Sequence, residues 1–299
     1  MLSILIPTYN YNIVPLVENI LQQAIESDLI FEIIVLDDAS WDENLQAINT
    51  KINDIPHCSY KILEKNIGRS AIRNLLAKTA KFDTLLFLDA DTMPVYYTFL
   101  KNYYDEIMNG SEIVFGGIAY KKEKPIKENI LRWKYGSARE EITVLKRNKN
   151  PYKTALTSNL LIKKEIFNIV KFNKNICDYG FEDLVFIQDL KSKKYIIKHI
   201  ENTTFHLNYE TSIAFLEKTK KALETLKFIE ENNILSRNET KILKSYLFLK
   251  RMRMTSIFMF FFKKLNFIAL KNLNSANPSL LMFDIYKLGY YCEYSKIIK

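Results

Sequence analysis

The sequence has few cysteines and no long apolar run, and each shortage argues against a class of protein. Cys58, Cys177 and Cys292 are odd in number and widely spaced, so they indicate neither a disulfide framework nor a zinc cluster. The longest apolar stretch, residues 257–262, is far shorter than the roughly 20 residues that cross a bilayer. The N-terminus has no basic segment, and its apolar run is too short for a signal peptide. These absences favour the reducing cytosol, or the inner face of a membrane.

Nucleotide-binding and nucleic-acid-binding signatures are also missing. No G-x-G-x-x-G follows the first apolar run and no G-x-x-x-x-G-K-S/T occurs, which argues against dinucleotide-binding and P-loop proteins. The formal charge is +9, but the lysines and arginines are spread along the chain without the spacing of a known nucleic-acid-binding motif. We therefore expect no nucleic-acid partner.

What is present in the first hundred residues is an alternation of strands and helices. The apolar patterns predict strands at residues 3–6, 32–36, 59–63 and 84–88, and helices at 13–25 and 68–80. Ser40 and Glu43 form a capping-box pattern that predicts another helix start. Such alternation predicts an α/β fold, with a mostly parallel, doubly wound sheet and helices on both faces.

The pattern changes after Gly116 and Gly117. Residues 121–151 are rich in Lys, Glu, Pro and Asn and predict a long, mostly exposed excursion over the active face. Further strands are predicted at 156–162 and 195–199, and long helices at 211–232 and 238–262. The C-terminal third is therefore expected to be helical.

Acidic residues follow the predicted strands. The second strand is followed by Asp37 and Asp38, and the fourth by Asp89 and Asp91. Ligands of a doubly wound sheet bind at the carboxyl ends of its strands. Carboxylates gathered there need compensation, and their hard oxygens suit Mg²⁺ or Mn²⁺ completed by substrate phosphates.

Five segments carry a resemblance to a known family. They are residues 3–10 (SILIPTYN), 34–40 (IVLDDAS), 66–74 (NIGRSAIRN), 86–91 (LFLDAD) and 180–183 (GFED). In this order they resemble the family 2 glycosyltransferases, whose fold is the Rossmann-like GT-A fold. The resemblance covers residues 1 to about 210 and implies a metal-dependent, inverting transfer of a sugar from a nucleoside-diphosphate donor, first of all a UDP-sugar.

The resemblance implies a role for individual residues of the donor site. Asp38 would accept a hydrogen bond from the base, and Arg69 and Arg73 would hold Asp38 and the donor phosphates. Gly68 would let the backbone approach closely. The full set of implied donor-binding residues is Pro7, Thr8, Asn10, Asp37, Asp38, Gly68, Arg69, Arg73 and Asp89.

The resemblance also implies a metal site and a catalytic base. Asp91 would bind Mn²⁺ or Mg²⁺, Asp89 would meet the ribose or a metal-bound water, and His206 would be a further ligand that favours Mn²⁺. Asp183 would take the proton of the acceptor hydroxyl, and Glu182 would orient the acceptor.

The resemblance implies an organisation and partners as well. Residues 1–210 would be the catalytic domain, with 1–117 binding the nucleotide-sugar and 118–210 forming the acceptor side, and 211–299 would be a helical C-terminal extension. Trp133 and Tyr135 could stack on a sugar, and residues 157–159 resemble the acceptor-side strand. The acceptor would be a cell-surface glycan or a lipid-linked glycan. Basic residues of the C-terminal helices could bind a membrane peripherally: Lys250, Arg251, Arg253, Lys263 and Lys264.

Other interpretations of these residues exist. Asp38 and Ser40 could merely cap a helix, Arg69 and Arg73 could form an exposed helical face, and first-turn acids such as Glu182 are common. An Asp-x-Asp after a strand also opens haloacid-dehalogenase phosphatases, but Met93 stands where that pattern has threonine. A third alternative is a non-catalytic nucleotide-sugar-binding protein on the same scaffold.

Overall fold

A seven-stranded sheet dominates the structure, a computed structural model that describes residues 1–27, 29–237 and 239–297. The strands are β1 (Leu2–Thr8), β2 (Phe31–Asp37), β3 (Cys58–Ile62), β4 (Thr84–Leu88), β5 (Thr92–Pro94), β6 (Ile113–Phe115), β7 (Ile118–Ala119), β8 (Asn159–Lys163), β9 (Lys198–His199) and β10 (Thr204–His206). The main sheet has the order β3-β2-β1-β4-β8-β6-β9, and β5, β10 and β7 form a small second sheet.

The main sheet is mostly parallel, as the sequence predicted. Strands β3, β2, β1 and β4 run parallel to one another, while β8 runs antiparallel between β4 and β6. Parallel pairing of β1 with β2 sets Thr8 opposite Asp37 at the carboxyl end of both strands. This register brings the residues that follow the two strands to one edge.

The helices of the described residues follow in chain order. They are α1 (Val14–Glu26), α2 (Glu43–Thr50), α3 (Arg69–Thr79), α4 (Phe99–Met108), α5 (Ile130–Arg139), α6 (Val144–Lys149), α7 (Pro151–Thr154), α8 (Lys164–Ile169), α9 (Glu182–Ser192), α10 (Ser212–Glu231), α11 (Lys241–Arg251), α12 (Thr255–Leu273) and α13 (Leu280–Ile297).

Helices cover both faces of the sheet because successive side chains of a strand point to opposite sides. Ile4 and Ile6 pack with Val17 of α1 in one buried cluster. Leu5, between them, packs with Leu76 of α3 in the other cluster. The strands therefore separate two apolar layers, which confirms the predicted α/β architecture.

The chain forms two compact units. The first comprises residues 1–120, 140–177 and 182–208 and contains both sheets. The second comprises residues 121–139, 178–181 and 209–299; helices α5 and α10–α13 pack there around Leu131, Leu226 and Tyr291. None of the described helices is both long enough and apolar enough to cross a bilayer.

Several predicted elements were wrong in detail. Helix α2 is capped by Asp42, whose carboxylate accepts from the backbone N–H of Asn44 and Leu45, so the Ser40 capping box does not form. Only residues 198–199 of the predicted strand 195–199 are a strand. The predicted helix 238–262 is two helices, because the chain turns between α11 and α12, where Arg253 has a φ of 56°; Asn238 lies outside the described residues.

The predicted exposed excursion at residues 121–151 is also wrong in part. It contains helices α5 and α6, and Leu131 and Arg147 within it are buried. The half-buried ring of Tyr135 packs against Phe215 and Phe283. The indole N–H of Trp133 donates to the carbonyl of Lys121.

Candidate active site

The carboxyl ends of β1, β2 and β4 meet at one edge of the main sheet. Thr8 lies opposite Asp37, the backbone N–H of Asp38 donates to the Thr8 carbonyl at 2.9 Å, and Asp89 follows the last residue of β4 directly. The sequence predicted this gathering of acidic residues. The side chains of these acidic residues, however, have different hydrogen-bond and ion-pair partners.

Asp37 is part of the scaffold of this edge. It is buried, accepts a hydrogen bond from the Tyr60 hydroxyl at 2.5 Å and accepts another from the backbone N–H of Ser40 at 2.7 Å. One carboxylate oxygen therefore holds the loop after β2, and the other bonds a side chain of β3.

Asp38 is held by backbone groups of the loop before α3. Its carboxylate accepts from the N–H of Ile67 at 2.7 Å and of Gly68 at 3.0 Å. Burial raises the pKa of Asp38, although these two N–H groups act to lower it. The expectation that Arg73 holds Asp38 was wrong, because the Arg73 guanidinium pairs with Asp89 and Glu182 instead. For Arg69 the expectation stays a prediction. A carboxylate has about four lone-pair sites, so Asp38 keeps acceptor capacity for a ligand.

Gly68 allows a close approach to protein backbone. Its φ is +82°, and a Cβ at this position would lie 2.8 Å from the carbonyl oxygen of Cys177. The close approach expected here is therefore made within the protein, by the segment before α9. Glycine alone fits both the backbone conformation and the contact.

Asn10 joins the loops after β1 and β2. Its amide oxygen accepts from the N–H of Trp41 at 3.0 Å and of Asp42 at 3.3 Å, and its own N–H donates to the Ser40 hydroxyl at 2.7 Å. The buried Thr8 hydroxyl, by contrast, has no hydrogen-bond partner among the described residues. Pro7, beside it, is half-buried.

Arg73 is the buried cation of the site. Its Nη2 lies 2.7 Å from Asp89 Oδ1 and its Nη1 lies 3.7 Å from Glu182 Oε1, while its guanidinium sits 5.5 Å from the centre of the Phe172 ring. Burial works to raise the pKa of Asp89, but the charges of Arg73 and Arg69 outweigh it and the pKa is lowered. Asp89 is thus ionised and its Oδ1 is already bound to Arg73.

Arg69 differs from Arg73 in being accessible. Its side chain is half exposed and its Nη1 lies 3.5 Å from Glu182 Oε1. Because α3 begins at Arg69, the two arginines lie one turn apart on the same helix. Arg73 compensates the carboxylates of Asp89 and Glu182 from inside the protein, whereas Arg69 pairs with Glu182 at the surface, where solvent reaches half of its side chain.

Asp183 lies at the first turn of α9, beside Glu182. Its carboxylate accepts a hydrogen bond of 2.5 Å from the Thr157 hydroxyl and a longer one of 3.4 Å from the Thr157 N–H. Burial is the largest cause that raises the pKa of Asp183, and the neighbouring charges of Glu182 and Asp89 add to it against Arg73 and Thr157. A carboxylate with a raised pKa is a stronger base, which suits proton abstraction.

Asp91 and His206 form a pair beside this group. His206 Nε2 lies 3.5 Å from Asp91 Oδ2, because antiparallel pairing of β10 with β5 sets His206 opposite Thr92. The ring of Tyr120 stacks on His206, with centroids 5.6 Å apart. Sequence reasoning missed Tyr120, since nothing in its local pattern distinguishes it from a core aromatic.

The donor atoms of Asp91 and His206 are compatible with a divalent cation. A carboxylate oxygen and an imidazole nitrogen both suit Mn²⁺, which takes further oxygens from phosphates or water. Within residues 1–27, 29–237 and 239–297, no three His, Cys, Asp or Glu side chains are placed to hold a metal. A cation here would therefore depend on a ligand from the substrate.

Comparisons with known proteins identify a family and a fold. The model of glycosyl transferase family 2 matches residues 3–170. No curated protein matches the chain. The fold is similar to that of Staphylococcus aureus TarS 1-349 in complex with UDP-GlcNAc, with 18% identity, 99% of this chain and 91% of that chain covered, and a TM-score of 0.52.

Two other solved structures are similar. A Pyrobaculum calidifontis mannosyltransferase in complex with GDP-Man and Mn²⁺ has 16% identity and a TM-score of 0.52 over 77% of this chain and 64% of that chain. Another structure of S. aureus TarS 1-349 has 20% identity and a TM-score of 0.49, covering 75% of this chain. In that comparison the chain spans only 64% of the other protein's length.

Proposed function

Because the chain belongs to glycosyl transferase family 2, we propose that it moves a sugar from a nucleoside-diphosphate donor, first of all a UDP-sugar, to an acceptor hydroxyl with inversion. The chain is a glycosyltransferase with the GT-A fold. The observation that carries the proposal is the buried Arg73 between Asp89 and Glu182. This ion pair ties the donor edge of the sheet to the turn that carries Asp183.

The proposed donor site lies along the ends of β1 and β2. Pro7, Thr8 and Asp38 would surround the base, with Asp38 accepting from a base N–H and the buried Thr8 hydroxyl free to bond a ligand. Asn10 and Asp37 would act indirectly, because their oxygens hold the surrounding loops.

The diphosphate would lie near α3 and β4. Arg69 is accessible and carries a charge that matches a phosphate. Gly68 would act through the backbone N–H that it donates to Asp38. Arg73 would keep Asp89 ionised, so that the second oxygen of Asp89 can bind the ribose or a metal-bound water.

Asp91 and His206 would hold a divalent cation, Mn²⁺ or Mg²⁺, together with oxygens of the diphosphate. The cation would supply positive charge that stabilises the departing diphosphate. Manganese in the structure of the P. calidifontis mannosyltransferase supports this assignment for the fold. The stacked ring of Tyr120 limits the orientations open to the His206 imidazole.

Asp183 would be the catalytic base. As the acceptor oxygen attacks the anomeric carbon, its proton passes to the Asp183 carboxylate, the bond from that carbon to the diphosphate breaks, and the configuration inverts. Thr157 would hold the carboxylate through its hydroxyl and its N–H. Glu182 would orient the acceptor while it balances the charge of the two arginines.

The acceptor would be a cell-surface glycan or a lipid-linked glycan, bound on the side formed by residues 118–210. In this proposal residues 1–210 are the catalytic domain, with 1–117 binding the donor. A lipid-linked acceptor would bring the enzyme to the inner face of a membrane, and the basic helices within residues 211–299 would make that contact.

Calorimetric titration of UDP, with and without Mn²⁺, tests the donor site on wild type and on Asp91→Ala. We expect binding that needs both the metal and Asp91. Wild-type protein that binds none of UDP, GDP and dTDP would refute the proposal. Donor binding without any transfer to glycan acceptors would instead favour a non-catalytic binding protein.

A haloacid-dehalogenase phosphatase is set aside, because the family match includes the Asp89–Asp91 segment.

A further inference from the structure

The C-terminal unit contains a long segment whose charge has one sign. Residues 241–283 include eight lysines and arginines and no aspartate or glutamate. The whole chain has a formal charge of +9, so this segment carries a surplus almost as large as that of the whole protein. A surface of this kind attracts anions and repels a second copy of itself.

Exposed apolar side chains are concentrated in the same segment. Of the 27 large hydrophobic side chains that are exposed in the described residues, nine lie between Phe248 and Ile268. Those 21 positions therefore hold a third of the total. Single exposed apolar residues are ordinary, but a contiguous group marks a surface that binds a partner or a membrane.

Helix α12 arranges these side chains on its outer side. Met259, Phe262, Ala269 and Leu273 are buried and mark the side that packs inside the unit. The opposite side, which we call the α12 face, has six apolar members, each more than half exposed: Ile257, Phe260, Phe261, Leu265, Phe267 and Ile268. Residues three and four apart share one side of a helix, so these side chains form one continuous strip.

Lysines lie within this strip rather than beside it. Lys264 is four residues after Phe260, and Lys271 is three residues after Ile268. The ammonium group of Lys264 sits 4.3 Å from the centre of the Phe260 ring. A face with aromatic and aliphatic side chains around lysines suits the boundary between headgroups and acyl chains, where apolar groups insert and lysines reach the phosphates.

A groove opens at the end of the α12 face. It has a volume of about 650 Å³ and is lined by Phe267, Leu270, Lys271, Asn274 and Ser275 together with Lys127. None of these described lining residues is acidic. Its two lysines and apolar wall match the phosphate and the acyl stem of one anionic lipid.

We propose that the α12 face binds the surface of an anionic bilayer, with α12 lying in the plane of the interface. The inference deepens the proposed function, since it gives a glycosyltransferase with a lipid-linked acceptor its contact with the membrane. A bilayer is favoured over a second copy of the chain because two copies of this basic face would repel each other.

Flotation of the full chain with vesicles tests the proposal. Wild type is expected to bind vesicles that contain about one-third phosphatidylglycerol and to bind pure phosphatidylcholine at least about tenfold more weakly. Phe261→Gln/Ile268→Gln and Lys264→Gln/Lys271→Gln should each lower the partition coefficient at least about tenfold. All four positions are exposed, and glutamine is a good helix former.

Matched variants elsewhere provide the controls. Ile25→Gln/Met108→Gln removes two exposed apolar side chains of α1 and α4, and Lys78→Gln/Lys153→Gln removes two exposed lysines. Both should bind vesicles as wild type does. Wild type that stays unbound at low salt, or apolar variants of the α12 face that bind unchanged, would overturn the proposal.

Two further measurements separate the possible failures. Sedimentation velocity without lipid should give the same mass for wild type and the α12 variants; a loss of dimer in the variants would show that the face binds a second copy instead. UDP titration of each variant should match wild type. A variant that loses vesicle binding but still binds UDP shows that the α12 face makes the membrane contact. Wild type that does not bind UDP would instead count against the proposed function.

Discussion

The hydroxyl of Thr157 donates a hydrogen bond of 2.5 Å to the carboxylate of Asp183. Thr157 precedes β8 and Asp183 lies in the first turn of α9, so the contact joins two segments that are 26 residues apart. The bond favours the ionised form of Asp183 and partly offsets burial, which raises the pKa of that carboxyl. Thr157 is therefore proposed as a positioning residue for the base.

Replacing Thr157 with valine should move the pH dependence of the reaction. The ionised carboxylate loses a hydrogen bond, so the pKa of Asp183 rises further and the acid limb of the kcat/KM profile moves to higher pH, by about one unit. Activity should rise with pH through this limb, because the base works when ionised. Thr157→Ser keeps the hydroxyl and should restore the wild-type limb. An unchanged limb in the valine variant would contradict the role of Thr157.

Asp183→Asn should abolish proton abstraction and leave the donor site intact. We expect transfer to fall by about 10²–10⁴-fold, while calorimetry finds an affinity for UDP close to that of wild type. Asp178→Asn is the control, since Asp178 is an exposed acid five residues earlier in the chain. Equal transfer by Asp183→Asn and wild type would remove Asp183 as the base.

Arg73→Met should strongly destabilise the protein, because it leaves the carboxylates of Asp89 and Glu182 without their buried cation. The expected loss in the free energy of unfolding is about 3–5 kcal/mol, measured by urea denaturation. Arg139→Met is the control. It breaks the ion pair between Arg139 and Asp284, which is of similar length but has both side chains about one-third exposed. It should lower the free energy of unfolding by about 1 kcal/mol or less. Similar losses of stability in the two variants would contradict the role of Arg73 as the buried cation that compensates Asp89 and Glu182.

Gly68→Ala and Gly110→Ala separate backbone strain from a steric clash. Both glycines have positive φ, +82° and +77°, but a Cβ at Gly110 meets no atom within 4 Å, whereas one at Gly68 lies 2.8 Å from the Cys177 carbonyl oxygen. Gly110→Ala should therefore cost about 1–2 kcal/mol of stability, and Gly68→Ala about 1–3 kcal/mol more. Only Gly68→Ala should also weaken UDP binding, because the clash with Cys177 displaces the backbone N–H of residue 68 that holds Asp38.

His206→Ala tests the proposed ligand set of the metal. Loss of the imidazole should reduce the preference for Mn²⁺ over Mg²⁺. The measurement is the ratio of the UDP affinity with Mn²⁺ present to that with Mg²⁺ present. His57→Ala replaces an exposed histidine on the loop before β3 and should leave the ratio unchanged. A ratio equal to that of wild type in His206→Ala would exclude His206 as a ligand.

Local patterns predicted much of the first unit. Strand β4 has the predicted bounds, and α3 begins and ends within one residue of the prediction. In the second unit, α10 is predicted equally closely. Burial on both faces makes the central strands continuous apolar runs, which are easy to read. Predictions were weaker at 156–162 and 238–262. The strand begins three residues later than predicted, at Asn159, and the predicted helix breaks without a proline or glycine.

The amino-acid sequence by itself determined the alternation of strands and helices, the acids at the strand ends and the family, since these depend on local periodicity and on ordered motifs. Only the tertiary structure decided which side chains of the site pair with one another. Arg73 pairs with Asp89 and Glu182 rather than Asp38, and Thr157 bonds Asp183, because each pair comes from segments distant in the chain. A side chain bonds the group that packing brings within about 3 Å, and sequence spacing does not encode that distance.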